Sequence, residues 1–196
     1  MNETTNGTSP AWALVLGSGG PVGTAWLLGL VSGLRRHGLD PAAADLIVGT
    51  SAGAIAGAMI AAGRAPDAWA DLPPRPAEPG TRTDGSGLAS TMGRVFAVLG
   101  DPGLDPGEAR RRVGRIALDA DALAGEVHRE RMRDLVGTDE WPRGRPLVTG
   151  VDVSSGEPIV WDGSGGEPLT AAVAASSAAP AYAAHAVPVE GRPPGA

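Results

Sequence analysis

Leu46-Ile47-Val48-Gly49-Thr50-Ser51-Ala52-Gly53 decides how this chain reads. Three β-favouring apolar residues stop at a glycine, and a run of small residues from Ala54 to Ala62 follows. A short apolar run bounded by glycine reads as a buried strand, and the small-residue run is long enough for a helix. The order is therefore strand, tight turn, helix. A serine at the apex of such a turn is pushed out of regular structure with its hydroxyl exposed. Gly49 and Gly53 tolerate the strained backbone and close packing that a Cβ would block. The first N–H groups of the following helix point back at the same spot, where the positive end of its dipole favours developing negative charge. Ser51 is thus the candidate nucleophile, and a plain strand–helix packing turn is the alternative.

Upstream, Trp12-Ala13-Leu14-Val15-Leu16 is a second short apolar run that stops at glycine, as a buried parallel strand does. It enters Gly17-Ser18-Gly19-Gly20-Pro21-Val22-Gly23, followed by an apolar helix from about Thr24 to His37. Pro21 suits a first helical turn, where its missing N–H is no loss. Uncovered backbone N–H groups at a helix N-terminus bind anions, and two readings compete for this loop. As a dinucleotide fingerprint it carries Val22 where the third glycine belongs, with Asp40 or Asp45 left to serve the ribose. As an oxyanion loop it lies at the same sheet edge as the serine. Gly38 and Asp40-Pro41 then close a βαβ unit.

Downstream, residues 65–87 carry Pro66, Pro73, Pro74, Pro76 and Pro79 among charged residues and glycines, the composition of a flexible linker or flap. Helices are expected over Leu88 to Leu99, Asp105 to Leu118 and Asp121 to Val136, the last with His128 on a solvated face. Pro146 to Val153 and Pro158 to Trp161 read as a hairpin around Ser154-Ser155-Gly156. A helix from Leu169 to Ala178 and a short strand from Ala186 to Glu190 follow. The strand–helix alternation argues for a three-layer α/β/α fold with a mainly parallel sheet, in one domain over residues 11–196 behind a disordered polar tail of residues 1–10.

Composition narrows the function. The 196-residue chain has a net charge of −6 and a pI near 5.0. Its one dense basic run is Arg110-Arg111-Arg112, so nucleic acid is not an expected partner. It has no cysteine, which excludes disulfides and thiolate metal sites. The three histidines form no ligand pair at helical spacing, and neither a metal nor a cofactor is called for. No signal pattern and no membrane-length apolar run occurs, which points to a soluble, cytoplasmic protein. Five of the seven aromatics are tryptophan, but Trp12 and Trp26 fall in periods that read as core.

The loop GSGGPVG after the first strand and GTSAG after the second, taken together, resemble the patatin-like phospholipase family. Leu135-Val136-Gly137 with Trp141-Pro142, the strand pair from Val148 to Val160, and Ala175-Ser176-Ser177-Ala178-Ala179-Pro180 have similar counterparts there. The resemblance implies a lipid acyl hydrolase with a Ser–Asp dyad and no catalytic histidine. In it Ser51 attacks an acyl ester, the N–H groups of Gly19 and Gly20 hold the oxyanion, and Gly23, Gly49 and Gly53 complete the motifs. It also implies lipid substrates and peripheral contact with a membrane. Two departures stand out. Ser18 and Val22 replace a glycine and a basic residue of the family loop, and the aspartate of the D-G-G or D-G-A motif would fall at about Ala196. The expectation is a chain short of that motif and impaired in turnover, or an inactive fragment serving as a binding protein. A substitute set Ser51, Asp152 and His185, in the order of other α/β hydrolases, is the further alternative.

Overall fold

The computed structural model describes residues 12–70, 86–120, 124–143, 146–180 and 186–189. Four strands, β1 (Ala13–Leu16), β2 (Leu46–Gly49), β3 (Pro146–Val151) and β4 (Pro158–Trp161), form one sheet in the order β1-β2-β3-β4. The β1–β2 and β2–β3 pairs are parallel. The last pair is the expected antiparallel hairpin, with Val148 opposite Trp161. Six helices accompany them: α1 (Gly20–Arg36), α2 (Ala52–Ala61), α3 (Ser86–Leu99), α4 (Pro106–Asp119), α5 (Gly125–Val136) and α6 (Leu169–Ser177). This is the α/β class with a mainly parallel sheet that the strand–helix alternation implies.

The core is built around α2. Every residue from Ala52 to Ile60 is buried, because side chains this small let the helix sit against β1, β2 and β3 while α1, α5 and α6 close on it. Leu16, Ile47, Val148 and Trp161 supply the sheet's side of that core. The opposite face of the sheet is more open, and Val15 and Val160 there are 73% and 60% exposed.

Helix ends follow their local chemistry. Asp105 caps α4 by accepting from the N–H groups of Gly107 and Glu108. Gly137, at a left-handed φ of 78°, ends α5. Arg64, just beyond α2, donates to the Leu135 and Asp134 carbonyls of the same helix end. On the outer face of α4, Arg111, Arg112 and Arg115 surround Glu108. Hydrogen bonds from Arg112 and then Arg111 hold its carboxyl down at about 2.

Several expectations need correction. Trp26 is 65% exposed and Trp12 37% exposed. Helix α1 is apolar on all sides, so its period could not say which face turns inward, and Thr24, Leu27, Leu28 and Val31 take that place. His128 is buried. It stands one turn before Met132 and two before Leu135, on the apolar face of α5. No strand forms over residues 186–189. Val187 and Val189 bury their side chains in the core, but that segment is outside the strand order of the sheet. Within the expected flap, Pro66–Trp69 is a short 3-10 turn whose Trp69 packs against the core, and residues 86 and 87 already belong to α3. Residues 71–85 of that flap, the tail before residue 12 and His185 lie outside the described residues.

Candidate active site

The turn between β2 and α2 has almost no freedom. A Cβ on Gly53 would overlap the Leu16 carbonyl of β1, and one on Gly49 would come within 2.5 Å of the Gly53 carbonyl and 2.6 Å of Ala54 Cα. With both flanks pressed this closely, the turn is completed by Ser51 at φ 54°, ψ −114°. It is the only non-glycine residue with positive φ among the described residues. A backbone this far from the allowed regions persists only where its surroundings over-determine it. Here the Thr50 N–H is tied to the Leu16 carbonyl at 3.1 Å, and the Ser51 N–H donates to Ser176 Oγ at 2.9 Å.

Half-buried Ser51 lies where two cavities meet. The smaller, about 220 Å3, has walls from Gly20, Pro21 and Thr24 of α1, from His128 and Arg131 of α5, and from Trp69. The larger, about 420 Å3, runs from Thr50 and Ser51 between α4 and the β3–β4 hairpin to Trp161 and Val187. No carboxylate stands among the described lining residues of either.

Each sequence-derived site residue can now be placed. Gly20, at φ 59°, begins α1 and shares the smaller cavity with Ser51. Gly19 is the residue before the helix, and its carbonyl accepts from the Gly23 N–H at 2.9 Å. Gly23 packs toward α2, with its Cβ position 3.6 Å from Ala52 Cβ. Gly49 and Gly53 press the turn together as described. The first turn of α1 contains no acidic side chain and no side-chain cap, so the positive end of its dipole faces the cavity unopposed.

The substitute set is not assembled among the described residues. Asp152 accepts from the N–H groups of Ser154 and Ser155, so its carboxylate shapes the β3–β4 turn. The acids required by the dinucleotide reading are also engaged. Asp40 takes Arg35 and the Ala42 N–H, an arrangement that lowers its carboxyl pKa chiefly through the Ala42 bond. Asp45 accepts from the Trp12 N–H. Among the described residues no three His, Asp or Glu side chains group to hold a metal.

Ser176, His128 and Arg131 were not singled out as site residues from sequence. Ser176 lies inside the run Ala175 to Pro180, and its contact with Ser51 spans 125 positions. His128 had a usable signal in its spacing to Met132. Its Nε2 lies 2.9 Å from Ser177 Oγ, and the Ser177 hydroxyl donates to the Val173 carbonyl at 2.7 Å. The serine proton is therefore spent, and His128 Nε2–H is the donor of their bond.

A strained serine between a parallel strand and a buried helix, opposite a glycine loop that opens a second helix, is the strand–turn–helix arrangement in which α/β hydrolases carry a nucleophile elbow. A sequence model of the family described as "Patatin-like phospholipase" matches residues 14–194. The chain belongs to the patatin-like phospholipase family, whose name covers lipid hydrolases. A solved structure, "Crystal structure of type III effector protein ExoU", is similar at 17% identity with a TM-score of 0.43, covering 87% of this chain and 40% of that one. The chain thus spans about two fifths of that protein's length. No curated protein matches it.

Proposed function

We propose that this chain is a serine acyl hydrolase for lipid esters, with Ser51 as the nucleophile. The observation that carries the reading is the Ser51 backbone at φ 54°, ψ −114°, a strain held by surrounding hydrogen bonds beside a cavity. The Ser51 hydroxyl attacks the ester carbonyl, and the carbonyl oxygen becomes an oxyanion as the carbon turns tetrahedral. The backbone N–H groups of Gly19 and Gly20, at the positive end of α1, hold that oxyanion. Collapse of the intermediate expels the alcohol and leaves an acyl-serine, which water hydrolyses.

The proton from Ser51 needs an acceptor. Among the described lining residues no carboxylate is present, and His128 is the one imidazole. The proposal includes peripheral lipid contact through α1. Val22, Trp26 and Leu30, four residues apart, are 82%, 65% and 42% exposed, and the helix has no charge before Arg35. Among the described residues no helix is long and apolar enough to cross a membrane.

The test is a fluorophosphonate probe and a short p-nitrophenyl ester, applied to the native chain and to Ser51→Ala. Labelling mapped to Ser51, with hydrolysis lost in the variant, is the expected outcome. A folded native chain that resists the probe, or turnover unaffected by Ser51→Ala, overturns the reading.

A further inference from the structure

We infer that His128 is a positioning residue for Ser51: through Ser177 it fixes the last turn of α6, and that turn carries the Ser176 hydroxyl on which the Ser51 N–H rests. Its kinetic consequence rests on the hydrolase reading, and its structural consequence on the hydrogen bonds alone.

The helix that carries Ser176 has little side-chain relief. Apart from Leu169 and Val173, α6 is made of Thr, Ala and Ser, and Leu169 to Ala174 and Ser177 are all buried. Packed helices keep their rotation and axial position by setting ridges of side chains into a neighbour's grooves, and alanine ridges are shallow. Directional bonds at the two ends take over that task. At the N-terminal end, Asp139 accepts from the Leu169 N–H through its carbonyl at 2.9 Å and from the Thr170 hydroxyl through its carboxylate. The Trp141 Nε1–H donates to the Glu167 carbonyl just ahead of the helix at 2.7 Å. At the C-terminal end, Ser177 Oγ is tied to His128 Nε2 at 2.9 Å.

Ser176 and Ser177 are consecutive, so their side chains leave α6 about 100° apart. One reaches the start of α2, where Ser176 Oγ accepts from the Ser51 N–H at 2.9 Å, and the other reaches α5. Both α2 and α5 pack on α6, so its last turn links the serine turn to the histidine helix. Ser177 spends its proton on the Val173 carbonyl and must accept from His128 Nε2–H. That edge of the ring is thereby committed to Ser177 and does not take the proton from Ser51. His128 and Ser177 are 4% and 8% exposed, and a bond this far from water is costly to leave unmade. The strained Ser51 backbone in turn depends on the ties around it. Freeing the end of α6 withdraws Ser176 from the Ser51 N–H and lets the nucleophile drift from its attacking position, where small displacements are expensive.

Amide hydrogen exchange at Ser51 and p-nitrophenyl ester kinetics, both on the full chain, test this. His128→Leu keeps the bulk and removes the donor; it should speed Ser51 N–H exchange about tenfold and lower kcat about tenfold, with KM changed less than about twofold. Ser177→Ala, a gentler change that removes the acceptor, should do the same. Because each variant breaks the same bond, the double variant should lose little more than either one. His128→Gln, whose amide nitrogen reaches the Nε2 position, should recover both readouts, and the shorter His128→Asn should not. Native exchange at Ser51 in His128→Leu and Ser177→Ala, equal behaviour of Gln and Asn, or a rise in KM alone overturns the inference. Loss of turnover in His128→Gln with exchange kept native also overturns it, and makes His128 the base. If ester hydrolysis depends on Ser51 while exchange does not respond to these variants, the positioning role alone falls. If exchange follows the expected pattern and the native chain hydrolyses nothing, the tie to Ser51 stands and the hydrolase reading falls.

Discussion

The chain leaves β1 through Gly17-Ser18-Gly19-Gly20 and leaves β2 through Gly49-Thr50-Ser51, and the two turns use glycine for opposite purposes. After β2, Gly49 and Gly53 let a helix and a strand touch at backbone distance, and the strain falls on the serine between them. After β1, ideal Cβ atoms on Gly17 and Gly20 would meet nothing within 4 Å. There glycine leaves backbone open to a cavity, and for Gly20 it also permits a φ of 59°. The turn after β2 is a packing joint at both glycines, whereas the turn after β1 is open at Gly17 and Gly20 and tight at Gly19, whose Cβ would lie 2.7 Å from Gly23 Cα. Substitutions should therefore cost stability at Gly49 and Gly53 and little at Gly17 and Gly20.

The largest expected effect is at Gly53. Gly53→Ala sets a methyl group against the Leu16 carbonyl and should cost about 3 kcal/mol or more, a large part of a typical domain's stability. Urea unfolding of the variant measures it, and a cost under about 1 kcal/mol would remove the distinction between the turns. At Ser51 the sign should reverse. Ser51→Gly relieves the positive φ and should stabilise by about 1 kcal/mol, whereas Ser51→Ala keeps a Cβ at φ 54° and should not. Both should lower ester turnover by about 10³-fold or more. Equal stabilities for the two variants would mean that the backbone is not strained.

At the next step down, Ser176→Ala withdraws the acceptor from the Ser51 N–H and leaves a part-buried donor alone. A loss of about 1–2 kcal/mol is expected, together with a fall in kcat at little changed KM, because the serine is displaced while the cavities are kept. A change in KM alone would assign Ser176 to the substrate instead of the turn.

Much of the joint was readable in the sequence, since an apolar run, G-x-S-x-G and an uninterrupted small-residue helix admit few other arrangements. The parallel pairing and the β3–β4 hairpin were readable for the same reason: short apolar runs end at turn-forming residues. The walls of the site were harder. Ser176 reaches Ser51 only because α6 folds back on α2, and no local pattern encodes a contact 125 residues away. The charged neighbours of His128 argue for solvent, although its spacing to Met132 and Leu135 places it inside. The outward turn of Trp26 was hidden because α1 lacks a polar face until its last turn. A helix without amphipathic contrast leaves the choice of buried face to its tertiary partners.

The smallest effects belong to the open turn. Gly20→Ala should cost about 1 kcal/mol, from the positive φ alone, and lower kcat/KM because the new methyl group enters the smaller cavity. Gly17→Ala has no such penalty: Gly17 is not among the glycines of positive φ, and nothing lies within 4 Å of the new Cβ. The substitution still removes a flexible residue from the unfolded chain, which should raise stability by about 0.5 kcal/mol. Thermal unfolding of the two variants reads this difference in sign directly. If Gly17→Ala destabilised as much as Gly53→Ala, the loop after β1 would be a packing joint as well, and an N–H surface left open to an oxyanion would lose its physical basis.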